Sequence, residues 1–146
     1  MVQTATVHGV GVSMSEEGQE VPVVLLDATE KVVPIYISPD QARSIQLALN
    51  GESFDRPLTQ DLLVEMVTEF GAAIDTICID DLSGQTFYAK IHTEQYRDGE
   101  RRTRTFDARP SDGIAIALRV DCPIELEETV VDEAGQPPSS YDESSI

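Results

Sequence analysis

Apolar and polar positions along this chain repeat with two different periods, and the changes between them mark out its elements. Residues 2–12 are rich in β-branched side chains, with Gly9 and Gly11 interleaved, and run into an acidic turn at Glu16-Glu17-Gly18. This is a first strand, and His8 belongs to it. Two further apolar runs, 21–26 and 32–37, flank a turn and predict a hairpin in the sheet core. Ser38-Pro39-Asp40-Gln41 then opens a helix with a cap residue, a proline at the first position and a glutamine at the third, which is a capping box. Its buried stripe is expected at Ala42, Ile45, Ala48 and Leu49, with Arg43, Ser44 and Gln46 outward and Asn50-Gly51 as the stop. A second helix is capped by Thr59, stapled by Leu58 and Leu63, carries the stripe Leu62, Leu63, Met66, Val67 and Phe70, and stops at Gly71.

Period-two alternation returns at 73–82, 85–96 and 101–107, with turns at Ser83-Gly84 and Asp98-Gly99. Asp-Gly is the strongest short hairpin signal in the chain. Phe87, Ala89 and Ile91 alternate with Tyr88, Lys90 and His92, so one face is buried and the other polar. A third helix starts at Pro110, and its five consecutive apolar residues, 114–118, predict burial almost all round. A last short strand falls within 120–127, with a helical turn or two at 128–134.

These elements define an α+β domain with a mixed, largely antiparallel sheet and about three helices. The stretches 35–47 and 106–118 align without a gap, matching Pro39 with Pro110, Ile45 with Ile116 and Leu47 with Leu118. A hairpin precedes each, so the chain reads as a tandem duplication of β-β-α units. One domain, 1–135, is expected, followed by a disordered acidic tail at 136–146, where Pro, Ser and acids take over.

The duplication singles out Arg109, which takes the cap position that Ser38 holds in the first copy. Arginine has no acceptor and cannot cap, so Arg109 lacks a local structural reason. Around it lie Asp107 at a strand end, and Ser111 and Asp112 in the first helical turn, where free N–H groups and the helix dipole favour oxygen acceptors. Asp61 and Arg56 are expected to join them through the fold. Carboxylates and arginines so gathered suit phosphodiester chemistry, which needs an activated nucleophile and a clamp for charge building on phosphorus. Mg²⁺ or Mn²⁺ held by the carboxylates would supply both functions.

Charge complicates that picture. Acids outnumber Lys and Arg by 27 to 10, giving a formal charge of -17, with Lys31 and Lys90 as the lysines. Such a surface is similar to those of proteins from salt-loving organisms. It opposes nucleic-acid binding through its overall field, although at about 1 M salt the screening length falls to about 3 Å and local contacts decide. The concentrated basic run is Arg97, Arg101, Arg102 and Arg104, at a hairpin turn. Cys78 and Cys122 stand far apart with no zinc-type spacing, and no leader or membrane-length apolar run is visible, which leads to the expectation of a reduced, cytoplasmic protein.

The junction Phe106-Asp107-Ala108-Arg109-Pro110-Ser111-Asp112-Gly113, together with Arg56-Pro57-Leu58-Thr59-Gln60-Asp61-Leu62-Leu63 and Thr86-Phe87-Tyr88-Ala89, resembles the bifunctional nuclease family. The resemblance implies cleavage of DNA and RNA and a homodimer. The candidate site read from the residues themselves is Asp107, Arg109, Asp112, Asp61 and Arg56, with Ser111, Thr59, Arg102 and Arg104 as the expected substrate-binding groups. Two positions depart from the family pattern: Gln60 stands where a His is common, and Gln41 where a Glu is common. The second reading of the same residues is a non-catalytic, oligomeric binding or scaffold domain whose Asp/Arg network holds the architecture together.

Overall fold

A computed structural model describes residues 1–141. Seven strands and four helices follow the predicted order. The strands are β1 (Val2–Met14), β2 (Glu20–Asp27), β3 (Val32–Tyr36), β4 (Ala72–Ser83), β5 (Thr86–Arg97), β6 (Glu100–Ala108) and β7 (Ile124–Glu127). The helices are α1 (Pro39–Leu49), α2 (Thr59–Glu69), α3 (Pro110–Val120) and α4 (Glu128–Ala134). The helical turn or two expected after the last strand is α4. None of the helices is long and apolar enough to cross a membrane.

The strands form one sheet in the order β3-β2-β1-β7-β4-β5-β6. Two units of three antiparallel strands followed by a helix, β1-β2-β3-α1 and β4-β5-β6-α3, lie on either side of β7. Since β7 runs antiparallel to β1 and parallel to β4, the two units run in opposite senses, as a two-fold relation between copies demands. The duplicated unit therefore holds one more strand than the hairpin and helix legible in the sequence. The turns follow their glycines, and Asp98 and Gly99 both have positive φ (55° and 78°), as a two-residue turn of the I′ kind requires.

One apolar core joins the sheet to α1, α3 and α4 through Val24, Leu26, Ile45, Ile77, Ile114 and Val131. Helix α3 is its centre, with Pro110, Ser111 and Gly113–Ala117 all buried. Gly113 permits this: a Cβ there would come within 2.8 Å of Ile77 Cγ2, so the helix lies flat on β4 only without one. Helix α1 carries the expected capping box, with Gln41 N donating to Ser38 Oγ (3.2 Å) and Ser38 N donating to Gln41 Oε1 (2.8 Å).

Two local expectations are corrected. Thr59 is not the cap of α2; that place falls to Leu58, which has no acceptor, and Asp61 supplies the bond instead by accepting from Leu58 N at 2.9 Å. Ser44, expected to face outward, is buried. Gln136 pairs with Val32 in an isolated bridge, and Tyr141 packs on Val23, Leu25 and Val32. The rest of the expected tail, 142–146, lies outside the described residues.

Candidate functional site

Helices α1, α2 and α3 present their first turns to a common cleft of about 450 Å³, bordered by Ser38, Gln41, Thr59, Gln60, Arg109 and Asp112. Helices α1 and α3 pack directly against each other, which brings two of the three turns together although the strands that lead into them run in opposite senses. A chain of side-chain hydrogen bonds ties the turns together. Ser44 Oγ donates to Gln60 Oε1 (2.9 Å), and Gln60 Nε2 donates to Asp112 Oδ1 (3.1 Å). Arg109 Nε faces the other carboxylate oxygen, Asp112 Oδ2, at 3.4 Å.

Arg109 holds the cap position of α3 with extended backbone and makes no side-chain cap, as its chemistry dictates. Its side chain is 72% exposed, against 33% for Asp112. The arrangement is a carboxylate oriented from within, beside a guanidinium free to fork onto an anion arriving from solvent. On the outer rim, Arg43 stacks over Phe54 at 4.4 Å.

The other sequence-predicted residues lie elsewhere. Asp107 is directly opposite Lys90 in the β5–β6 ladder, and its carboxylate is 3.4 Å from Lys90 Nζ. Its strand neighbours Phe106 and Ala108 pair with Ile91 and Ala89 on the helix-bearing face, so alternation turns the Asp107 side chain towards Lys90, although Asp107 still borders the apolar pocket that Arg109 and Asp112 also line. Lys90 also faces Asp80 at 3.6 Å. Burial would lower the lysine's pKa, but the charges of Asp80 and Asp107 outweigh it and hold the ammonium above its usual range.

Asp61 is engaged in binding the helices together. Arg119 Nε donates to its Oδ1 at 2.7 Å, while the same guanidinium donates to Ala115 O (2.9 Å) and Ser44 O (3.4 Å). One arginine thus joins α1, α2 and α3. Burial tends to raise the Asp61 pKa, but the Arg119 hydrogen bond, the Leu58 N–H and the Arg119 charge together hold it below the usual carboxylate value. Arg56 is exposed in the loop before α2, Ser111 is buried inside α3, and Thr59 lies at the cleft mouth. Arg102 and Arg104 line a separate apolar groove of about 540 Å³ between α2 and the β5–β6 edge, with Leu62, Met66, Phe70 and Phe106.

Sequence reasoning missed Ser44 and the bridging role of Gln60. Ser44 fell on the polar side of the helix period, and no local pattern reveals that a second helix covers it. Among the described residues no three His, Cys, Asp or Glu side chains gather as a metal-ligand set. Asp107 and Asp112 are each already paired with a different cation, Lys90 and Arg109, so the residues present do not assemble an Mg²⁺ or Mn²⁺ site.

The cleft belongs to a domain type with known relatives. The family described as the bifunctional nuclease domain matches residues 23–139, and the chain belongs to this family. It is 38% identical over 122 residues to an uncharacterized protein of Mycobacterium tuberculosis, an alignment covering 82% of this chain and 70% of that protein. It is 25% identical over 118 residues to bifunctional nuclease 2 of Oryza sativa subsp. japonica, covering 80% of this chain and 36% of the plant protein. Bifunctional nuclease 1 of Oryza sativa subsp. indica aligns at 25% identity over 100 residues, covering 68% of this chain and 30% of its own length. The chain therefore spans about a third of the plant nucleases that it matches.

Proposed function

We propose that this domain is a nuclease that hydrolyses phosphodiester bonds of DNA and RNA in the cleft between the first turns of α1, α2 and α3. The observation that carries the reading is the Asp112 carboxylate, fixed from behind by Gln60 and Ser44, with the exposed Arg109 beside it, in a member of a nuclease family. Arg109 binds the phosphate, aided by the positive ends of α2 and α3. Asp112 takes a proton from the attacking water as its oxygen bonds to phosphorus. The P–O bond to the leaving sugar oxygen then breaks, and that oxygen is protonated from solvent. Thr59 borders the cleft where substrate enters, Arg102 and Arg104 lie further along its path, and Asp61 and Arg119 hold the helices at the required spacing.

The test is cleavage of labelled RNA and DNA by the purified chain in concentrated KCl, with and without Mg²⁺ or Mn²⁺, beside Asp112→Asn, Arg109→Ala and Asp107→Ala variants whose folding is checked by circular dichroism. Cleavage lost in Asp112→Asn and Arg109→Ala but kept in Asp107→Ala supports the site as drawn. Loss with Asp107→Ala alone moves the chemistry to the Lys90 side of the sheet. No cleavage by the wild type under any metal overturns the nuclease reading in favour of a binding or scaffold domain. The Asp61–Arg119 pair favours that second reading, since its connections are entirely architectural.

A seat for the expected homodimer is offered on α2, where Leu62, Met66 and Phe70 are exposed along the groove that Arg102 and Arg104 also line, so a second copy there would compete with a bound strand. The acid excess suits a protein working in concentrated salt, and the free thiols of Cys78 and Cys122 suit a reducing cytoplasm.

A further inference from the structure

Where the polar cleft ends, an apolar pocket of about 700 Å³ begins, and the two share Thr59, Gln60, Arg109 and Asp112. Its walls are Leu63 and Val67 from α2, Phe87 and Ile91 from β5, Phe106 from β6 and Ile116 from α3. Such a volume, walled by apolar groups with polar ones gathered at one end, is proportioned for a small planar molecule. Resting on the nuclease reading, we propose that this pocket receives one unstacked nucleobase beside the scissile phosphate, so that the domain takes single-stranded nucleic acid and passes over duplex.

Charge and spacing favour this occupant. Phe106 is half exposed at the pocket rim, and Arg104 and Arg102 precede it at successive same-face positions of β6, each step about 7 Å along the strand. In a chain with 27 acids and 10 basic residues, neither of these arginines has an ion-pair partner among the described residues. The pocket is therefore prolonged by a short row of free guanidinium groups, as a groove that follows a sugar-phosphate strand requires. A duplex would leave the pocket empty, because its bases are sealed in the stack. It would instead present two rows of phosphates to an acid-dominated surface. A single strand offers both a base face for Phe106 and phosphates for the arginines.

The experiment measures binding of fluorescent oligo-dT and oligo-U, and of a hairpin duplex of the same length, to the full chain at several KCl concentrations. Wild type, Phe106→Ala and Phe106→Trp are compared, with circular dichroism and solution mass recorded for each. The single strands should bind at least about tenfold more tightly than the duplex. Phe106→Ala should lose about tenfold, and Phe106→Trp should restore it. Equal affinity for duplex, or unchanged single-strand binding by a folded Phe106→Ala, overturns the proposal. So does a change in oligomer mass as the only effect of Phe106→Ala, which would assign the pocket to a second copy. Single strands bound through Phe106 but never cleaved would refute the nuclease reading and leave the pocket standing. Duplex and single strands cleaved alike, with Phe106→Ala unaffected, would do the reverse.

Discussion

At the scale of single residues, Gln60 decides how the cleft behaves. A glutamine amide accepts with one atom and donates with the other, and both are used here, towards Ser44 and Asp112. A neutral histidine, the residue that the family resemblance leads one to expect here, also offers one donor and one acceptor, but it titrates at about pH 6.5. Gln60 keeps the bridge while removing the proton. Cleavage by the wild type should therefore show no titration step near neutrality attributable to this position. Gln60→His should introduce one, measured as the pH profile of kcat/KM; a profile superimposable on the wild type would show that position 60 does not reach the reacting groups. Gln60→Ala should lower activity at least tenfold while costing about 1 kcal/mol of stability, because it leaves Ser44 and Asp112 short of a partner. Gln41 differs: its side chain closes the α1 capping box, and a Glu there would serve the same end.

At the scale of elements, two close contacts hold the cleft-bearing helices in place. Gly113→Ala would put a methyl group 2.8 Å from Ile77 Cγ2, where β4 is fully buried. The helix would have to lift, at a cost of about 1–3 kcal/mol read by denaturant unfolding. A variant as stable as the wild type would mean that α3 is less tightly seated than this contact implies. The Asp61–Arg119 pair sets a pH dependence. The folded-state pKa of Asp61 lies below its ordinary 3.8, so its stabilising contribution is fully present above that pH and drains away as pH falls through the lower folded value. Asp61→Asn should cost about 1–2 kcal/mol at neutrality, discounted because the carboxylate is open on one side, and the gap to wild type should begin to narrow only as pH falls below 3.8. Thermal unfolding from pH 3 to 7 measures it, and a gap independent of pH would refute the assignment.

These contacts also show what the sequence could and could not convey. Local chemistry was legible: Ser38 and Gln41 announce their box, Asp98-Gly99 its turn, and the run at 114–118 its buried helix. The match of Pro39 to Pro110 revealed the duplication, although not its third strand or the place of β7, because pairing between distant strands leaves no local mark. Within the site, Asp112 and Arg109 were legible because a charged pair opening a buried helix is conspicuous. The separation of Asp107 from Asp112 was not, since it depends on which way strand alternation turns one residue at the end of β6. Nor was the use of Asp61, whose partner lies 58 positions further along the chain.

At the scale of the molecule, a charge of -17 on 146 residues must be reconciled with a fold that exposes apolar surface along α2. Self-repulsion among surface carboxylates opposes the compact state, and it opposes equally any pairing of two such chains. Screening relieves both. The Debye length shortens from about 10 Å at 0.1 M salt to about 3 Å at 1 M, so repulsion between carboxylates more than a few ångströms apart nearly vanishes, while contacts such as Arg119 to Asp61 survive. Raising KCl from 0.1 to 2 M should therefore raise the Tm and shift solution mass towards the dimer. Phe70→Asp, in the groove beside α2, should hold the chain monomeric at every salt concentration, while its own Tm still rises with KCl. A Tm independent of salt would show that the acidic surface does not limit stability. A dimer that persists in Phe70→Asp would place the interface elsewhere, with the long exposed edge of β6 the next candidate, since its unpaired backbone groups offer a ladder to a second copy.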